Sequence, residues 1–223
     1  MCARPVTIAL LLSVCAAPIA SLPVRACDVA LLLAIDISGS VDDAEYRFQV
    51  DGTADALQDP DVINALLQGN AAVAVVQWSA VGMQKLVQPW QRMHSRAAIA
   101  DFATATRAQE RAFGKADTAV ADAISFAVRQ FDTAPDCRRN VIDISGDGVQ
   151  NAGSPLPEAR TSAIDRGITL NAIAIEGLGV AITEFYRRSV ITKDGFVLTA
   201  RGHLDYPRAI RAKLLREIVV PTG

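Results

Sequence analysis

The sequence is poor in histidine and in usable cysteine, and each shortage excludes something. Two histidines in 223 residues leave no basis for a histidine-rich metal centre, and no Ser/His/Asp triad or activated cysteine can be assembled. His94 and His203 have no plausible metal-ligating neighbour, so both are expected as lone surface histidines and zinc as a poor fit. None of the four cysteines has a C-x-x-C spacing, which argues against a redox centre. Basic residues never cluster beyond Arg138-Arg139 and Arg187-Arg188, both expected on solvated surface. With a net charge of −2 there is no electrostatic case for nucleic acid. No low-complexity tract, linker or internal repeat interrupts the chain, and Gly177-x-Gly179 lacks the remaining glycine of a dinucleotide fingerprint.

Apolar residues make up 51% of the chain, enough for one packed domain of this length. Residues 1–26 read as a signal peptide: Arg4 gives a basic start, Val6 to Ala20 is apolar, and Val24-Arg25-Ala26 offers a cleavage site. The apolar run falls short of the roughly 20 residues of a spanning helix, so no membrane span is expected after cleavage. Export to the periplasm or the medium follows. Cys2 and Cys15 leave with the leader. Cys27 and Cys137 remain, and in an oxidising compartment they are expected to form a structural disulfide. Two free thiols, or a lipidated Cys27, are the alternatives.

Residues 27–223 read as one α/β domain. Val29–Ile35 is a continuous apolar run, as in a strand buried on both faces of a parallel sheet. Tyr46, Val50, Ala54 and Leu57 then recur at helical spacing up to a stop at Asp59-Pro60. Ala71–Trp78 is a second buried strand. Met83–Trp90 alternates and contains Pro89, marking an antiparallel edge strand. Helices are expected over Ala97–Thr106, Thr118–Phe131, Pro157–Arg166, Ile182–Ile191 and Pro207–Val219, with strands over Arg139–Ile144, Ile168–Ile175 and Gly195–Thr199. This alternation predicts a three-layer, Rossmann-like, doubly wound and mostly parallel sheet.

Ligands in such sheets bind at the carboxyl ends of strands. The first strand ends in Asp36, Ser38 and Ser40. The Arg139–Ile144 strand ends in Ser145, Asp147 and Gly148, and Asp117-Thr118 opens a helix between them. Carboxylates and neutral hydroxyls in this proportion suit a hard divalent cation: Mg²⁺ first, with Mn²⁺ or Ca²⁺ as alternatives. The structural reading of the same residues is also plain. Ser38 and Ser40 serve equally as turn and cap residues, and Asp42 and Asp43 as complements to a helix dipole. Trp78, Trp90 and Phe131 read as packing.

Asp36-x-Ser38-x-Ser40, a separate Thr118 and a later Asp147-Gly148 resemble the metal-ion-dependent adhesion site of von Willebrand factor type A domains. The resemblance implies Ser38, Ser40 and Thr118 as direct ligands. It places Asp36 and Asp147 behind water, with a partner's carboxylate at the open position. The segments LLLAIDISGSVD, VIDISGDGVQN, GITLNAIAI, FYRRSVI and RAIRAKLLREI further resemble a group of uncharacterised exported bacterial proteins built as one type A domain. One departure is the loop Gly114-Lys115-Ala116-Asp117-Thr118, where the family usually has glycines beside the threonine. If Asp36 and Asp147 meet, the strands before them are parallel neighbours. Running back about nine residues brings Cys27 and Cys137 together at the far end of the sheet.

The expected function is therefore an exported, metal-dependent, adhesion-type module that captures an Asp or Glu of a protein partner, and not an enzyme. A Mg²⁺-dependent phosphatase of the haloacid dehalogenase type would need a carboxylate at position 38, where this chain has a serine. A purely structural exported domain is the other alternative.

Overall fold

A computed structural model describes residues 27–177 and 181–219. The expected leader, residues 1–26, lies outside the described residues, as does Gly179 of the Gly177-x-Gly179 pair. Strand β1 (Cys27–Asp36) is followed by α1 (Asp43–Gln58), α2 (Pro60–Gln68), β2 (Ala72–Trp78), β3 (Gln84–Arg92) and α3 (Arg96–Arg107). The second half runs α4 (Val120–Gln130), β4 (Cys137–Gly146), α5 (Leu156–Asp165), β5 (Ile168–Ile175), α6 (Ile182–Phe185), β6 (Val197–Ala200) and α7 (Tyr206–Ile218). The sheet order is β3-β2-β1-β4-β5-β6, parallel except for β3 at one edge.

The apolar run of β1 fills both faces of the sheet. Val29, Leu31, Leu33 and Ile35 pack with Leu57, Leu66, Phe102, Ile210 and Leu214 of α1, α2, α3 and α7. Leu32 and Ala34 face the other way, against Val120, Ile124 and Val128 of α4 and Ala159 and Ala163 of α5. Burying each large apolar side chain in this way contributes roughly 1.5–3 kcal/mol relative to leaving it in water. Trp78 is fully buried, and Trp90 meets Phe131 edge to face at 5.1 Å, so the expected packing roles hold. Cys27 and Cys137 are register partners on β1 and β4 and form a disulfide, with Cα atoms 4.3 Å apart.

Several expectations need correction. Asp59-Pro60 ends α1 but also starts a helix the sequence reading omits. The Asp59 carboxylate accepts from the N–H groups of Asp61 and Val62, and Pro60 occupies the first turn of α2. The expected helix Ile182–Ile191 is α6 followed by a π-helical turn over Tyr186–Val190. Arg139 is not solvated surface: it is half-buried and donates to the Glu217 carbonyl at 2.8 Å. The face that α7 buries is not purely apolar either. Lys213 is fully buried there, 2.7 Å from Asp143 and 2.5 Å from Glu217. Asn171 donates to Glu217 at 2.9 Å.

Candidate metal site

The carboxyl ends of β1 and β4 are adjacent, since Ile35 pairs with Ser145. The loops that leave these ends carry the candidate residues. Asp36 is fully buried, and its Oδ1 accepts from the Ser38 N–H at 2.7 Å. That contact turns the chain sharply and aims Ser38 and Ser40 to one side, with their Oγ atoms 3.2 Å apart. Ser40 Oγ in turn donates to Asp147 Oδ1 at 2.5 Å. Two side chains invisible to motif reading fix this loop. Arg111 Nη2 donates to the carbonyls of Ile37, Ser38 and Val41 at 2.7, 2.9 and 2.8 Å. Buried Gln49 on α1 donates to the Asp36 carbonyl at 3.1 Å.

Thr118 does not begin a helix as expected. It lies two residues before α4, buried, in a loop clamped by Asn151. The Thr118 N–H donates to Asn151 Oδ1 at 2.8 Å, and the Thr118 carbonyl accepts from the Asn151 N–H at 3.1 Å. The departure from the family pattern is accommodated: Lys115 and Asp117 point into solvent, and the Ala116 carbonyl takes the Gly39 N–H at 2.6 Å. Gly39 and Gly148 keep the loops close. A Cβ on Gly39 would lie 2.9 Å from the Ala116 carbonyl oxygen. One on Gly148 would lie 3.5 Å from Thr118 Oγ1 and 3.9 Å from Ser40 Oγ, filling the space those hydroxyls face. All five predicted site residues are thus brought to one place by three loops.

The electrostatics of this place are compatible with a cation. Asp36 Oδ2 is buried and has no hydrogen-bond partner among the described residues. Burial, and then the charge of Asp147, push the Asp36 carboxyl up to about 7. Asp147 is also raised, by burial first, while the Ser40 hydrogen bond and His203 act against it. Tyr186 is buried beside the pair without a hydrogen-bond partner among the described residues, and burial followed by the charges of Asp36 and Asp147 raises its hydroxyl well above the ordinary value. An orphaned carboxylate oxygen next to converging hydroxyls fits a divalent cation, which would relieve the repulsion between the two aspartates.

His203 contradicts the reading of a lone surface histidine. It is 8% exposed, with Nδ1 3.1 Å from Glu45 Oε1 and Nε2 3.8 Å from Asp147 Oδ2. The turn between β6 and α7 carries it over the strand ends, a proximity that no local spacing encodes. The ground given against zinc, that no histidine has a ligand neighbour, therefore fails. His94 is exposed, as expected. Asp42 caps α1 in a reciprocal box with Glu45, its carboxylate accepting from the Glu45 N–H at 2.8 Å.

Strand order, layer arrangement and site geometry together define a von Willebrand factor type A fold. Residues 26–222 match the family described as a protein of unknown function, DUF1194, and the chain belongs to that family. Among curated proteins none matches. Among solved structures, a von Willebrand factor type A protein from Catenulispora acidiphila is 21% identical with a TM-score of 0.64, over 86% of this chain and 43% of that one. Proximal thread matrix protein 1 from the mussel byssus, with a zinc-occupied MIDAS motif, is 20% identical with a TM-score of 0.65, over 86% of this chain and 48% of that one. The pilus adhesin SpaC from Lactobacillus rhamnosus GG is 13% identical with a TM-score of 0.60, over 87% of this chain and 30% of that one. This chain spans less than half the length of each of these three proteins.

Proposed function

We propose that this protein is an exported binding module that uses a divalent cation, Mg²⁺ first, to capture an Asp or Glu side chain of a partner protein. The observation that carries the reading is the buried Asp36 carboxylate, whose Oδ2 has no hydrogen-bond partner among the described residues, at the strand ends where Ser38, Ser40, Thr118 and Asp147 come together. Ser38, Ser40 and Thr118 would hold the ion directly, and Asp36 and Asp147 through water. The ion would supply positive charge: bound mainly by neutral hydroxyls, it stays attractive to an anionic side chain. The rim suits a protein surface. Val81, Val149 and Leu204, which are 57%, 41% and 78% exposed, all lie in loops at this end of the sheet. Export is supported by the Cys27–Cys137 disulfide.

The module is proposed to have no phosphatase activity, because the acid/base position of a haloacid dehalogenase-type site is Ser38. The test is calorimetric titration of the mature protein with Mg²⁺ and Mn²⁺, followed by partner capture in Mg²⁺ against chelator. Asp36→Ala and Ser38→Ala should each abolish Mg²⁺ and Mn²⁺ binding in a folded domain. Unchanged metal affinity in both variants would overturn the site. Phosphomonoester turnover that tracks Asp36 would overturn the non-enzymatic reading.

A further inference from the structure

We propose that His203 Nε2 and Asp147 Oδ2 form a second cation site beside the hydroxyl-lined one, suited to a borderline transition metal such as Zn²⁺. One donor atom from each of Glu45, Asp147 and His203 lies within 4.8 Å of the others. These residues also line a cavity of about 180 Å³ together with Glu176 and Gly202. The independent observation is the imidazole itself. His203 Nε2 is buried, lacks any hydrogen-bond partner among the described residues and faces a carboxylate oxygen at 3.8 Å.

The roles of the two ring nitrogens follow from their neighbours. Glu45 Oε1 lies 3.1 Å from Nδ1, while Glu45 Oε2 is held by the Asp42 N–H at 2.8 Å. A carboxylate locked in a helix cap thus holds Nδ1 and turns Nε2 toward Asp147. This is the carboxylate–histidine–metal arrangement that orients ligating imidazoles. The space between Nε2 and Asp147 Oδ2 takes either a second ring proton, which makes an imidazolium–carboxylate pair, or a metal ion that displaces it. Ligands about 2.0–2.2 Å from a tetrahedral zinc lie roughly 3.4 Å apart, so closing the 3.8 Å gap takes only a few tenths of an ångström. An imidazole donor favours Zn²⁺, Ni²⁺ or Cu²⁺ over Mg²⁺. Asp147 has an oxygen for each site, since Oδ1 takes the Ser40 hydroxyl and Oδ2 faces His203.

This inference shares Asp147 with the proposed binding site but does not depend on partner capture there. Ser38→Ala separates the two. Metal-stripped protein carrying that substitution is titrated with zinc sulfate, and imidazole nitrogen shifts are followed by NMR, where two histidines make assignment direct. We expect one Zn²⁺ per chain, a shift of His203 Nε2 as zinc is added, and no shift of His94. Adding His203→Gln should weaken zinc binding by at least ~10-fold. No zinc uptake by Ser38→Ala at ~100 μM, a concentration far above the Kd of a specific site, would overturn the second site, as would a His203 ring that zinc leaves unmoved. The Ser38→Ala measurement needs no change at His203, so misfolding of the double variant does not decide the outcome. Loss of Mg²⁺ binding in Ser38→Ala reports on the first site alone.

Discussion

Arg111 is the residue whose removal should separate loop geometry from ligand chemistry. Its side chain is 13% exposed, and one nitrogen, Nη2, contacts three carbonyls of the segment carrying Ser38 and Ser40. That nitrogen has only two hydrogens, so three acceptors share two bonds. Hydrogen bonds to a charged group are worth roughly 1.5–3 kcal/mol each, and water can enter this rim in part. Replacing Arg111 by Met, which keeps the apolar stem, should therefore cost about 2–3 kcal/mol. The pairing of Arg111 with Asp43 adds little, because Asp43 is 95% exposed and 3.3 Å away. Asp43→Asn is the control, and should cost no more than the roughly 0.3–1 kcal/mol of a first-turn carboxylate while leaving metal affinity unchanged. Urea unfolding in chelator reads the first quantity as a shift of the midpoint by about 1–2 M at constant slope. Mg²⁺ titration reads the second: freeing the serine loop should weaken affinity at least ~10-fold, about 1.4 kcal/mol. If Arg111→Met matches wild type in both measurements, the loop holds itself and the clamp is incidental.

Reducing the disulfide should lower stability by at most ~4–5 kcal/mol, the chain-entropy value for a bridge across 110 residues. Intact mass with and without reductant checks the bond, and a lipid mass on Cys27 would contradict it. Lys213→Ala should cost about 3–5 kcal/mol in urea unfolding, because it leaves Asp143 and Glu217 buried without their cation. Adding Asp143→Asn should restore part of that loss. In chelator, stability should fall as pH rises from about 4 to 7. Burial holds the Asp36 carboxyl at about 7, so the folded state binds a proton that the unfolded chain releases near the ordinary 3.8. Asp205, held to about 2 by its Arg208 hydrogen bond, acts in the opposite sense but completes its change below that window. A stability curve that rises between pH 4 and 7 would refute the assignment, and saturating Mg²⁺ should flatten the Asp36 part.

The fold was legible where one physical cause dominated the local sequence. Val29–Ile35 is apolar at every position because both faces of β1 are covered, and that pattern has one structural solution. Pro89 marked the edge strand because a central strand has no place for a residue that cannot donate. The disulfide followed from equal run-back along two parallel strands. Asp59-Pro60 misled because the same pair chemistry ends one helix and begins another, so only the restart in space shows α2. The buried Lys213 escaped notice because a lysine on an amphipathic helix reads as solvent-facing until its two acidic partners, one of them on β4, are placed beside it.

The ligand motif was legible for a different reason: each of its three pieces ends a strand or precedes a helix, so the topology rule alone converges them. What holds them was not. Arg111, Gln49 and Asn151 act on backbone groups, and such contacts leave no spacing in the sequence. His203 is the sharpest case, because β5 lies between its strand and β4. Its approach to Asp147 depends on how α7 starts. Pro207 at the first turn of α7 packs on α1 at Gly52, where a Cβ would stand 2.9 Å from Pro207 Cγ. The neighbouring Tyr206 hydroxyl is 3.4 Å from Thr53 Oγ1. A glycine inside a helix costs about 1 kcal/mol relative to alanine, so it calls for a compensating contact. Here the contact is the close seating of α7, which draws the preceding turn over the N-terminal end of α1, where Glu45 receives the His203 ring. Mid-helix Gly52 together with Pro207 was the one sequence signal of this approach, and it pointed to a packing partner without saying what that packing would carry to the metal site.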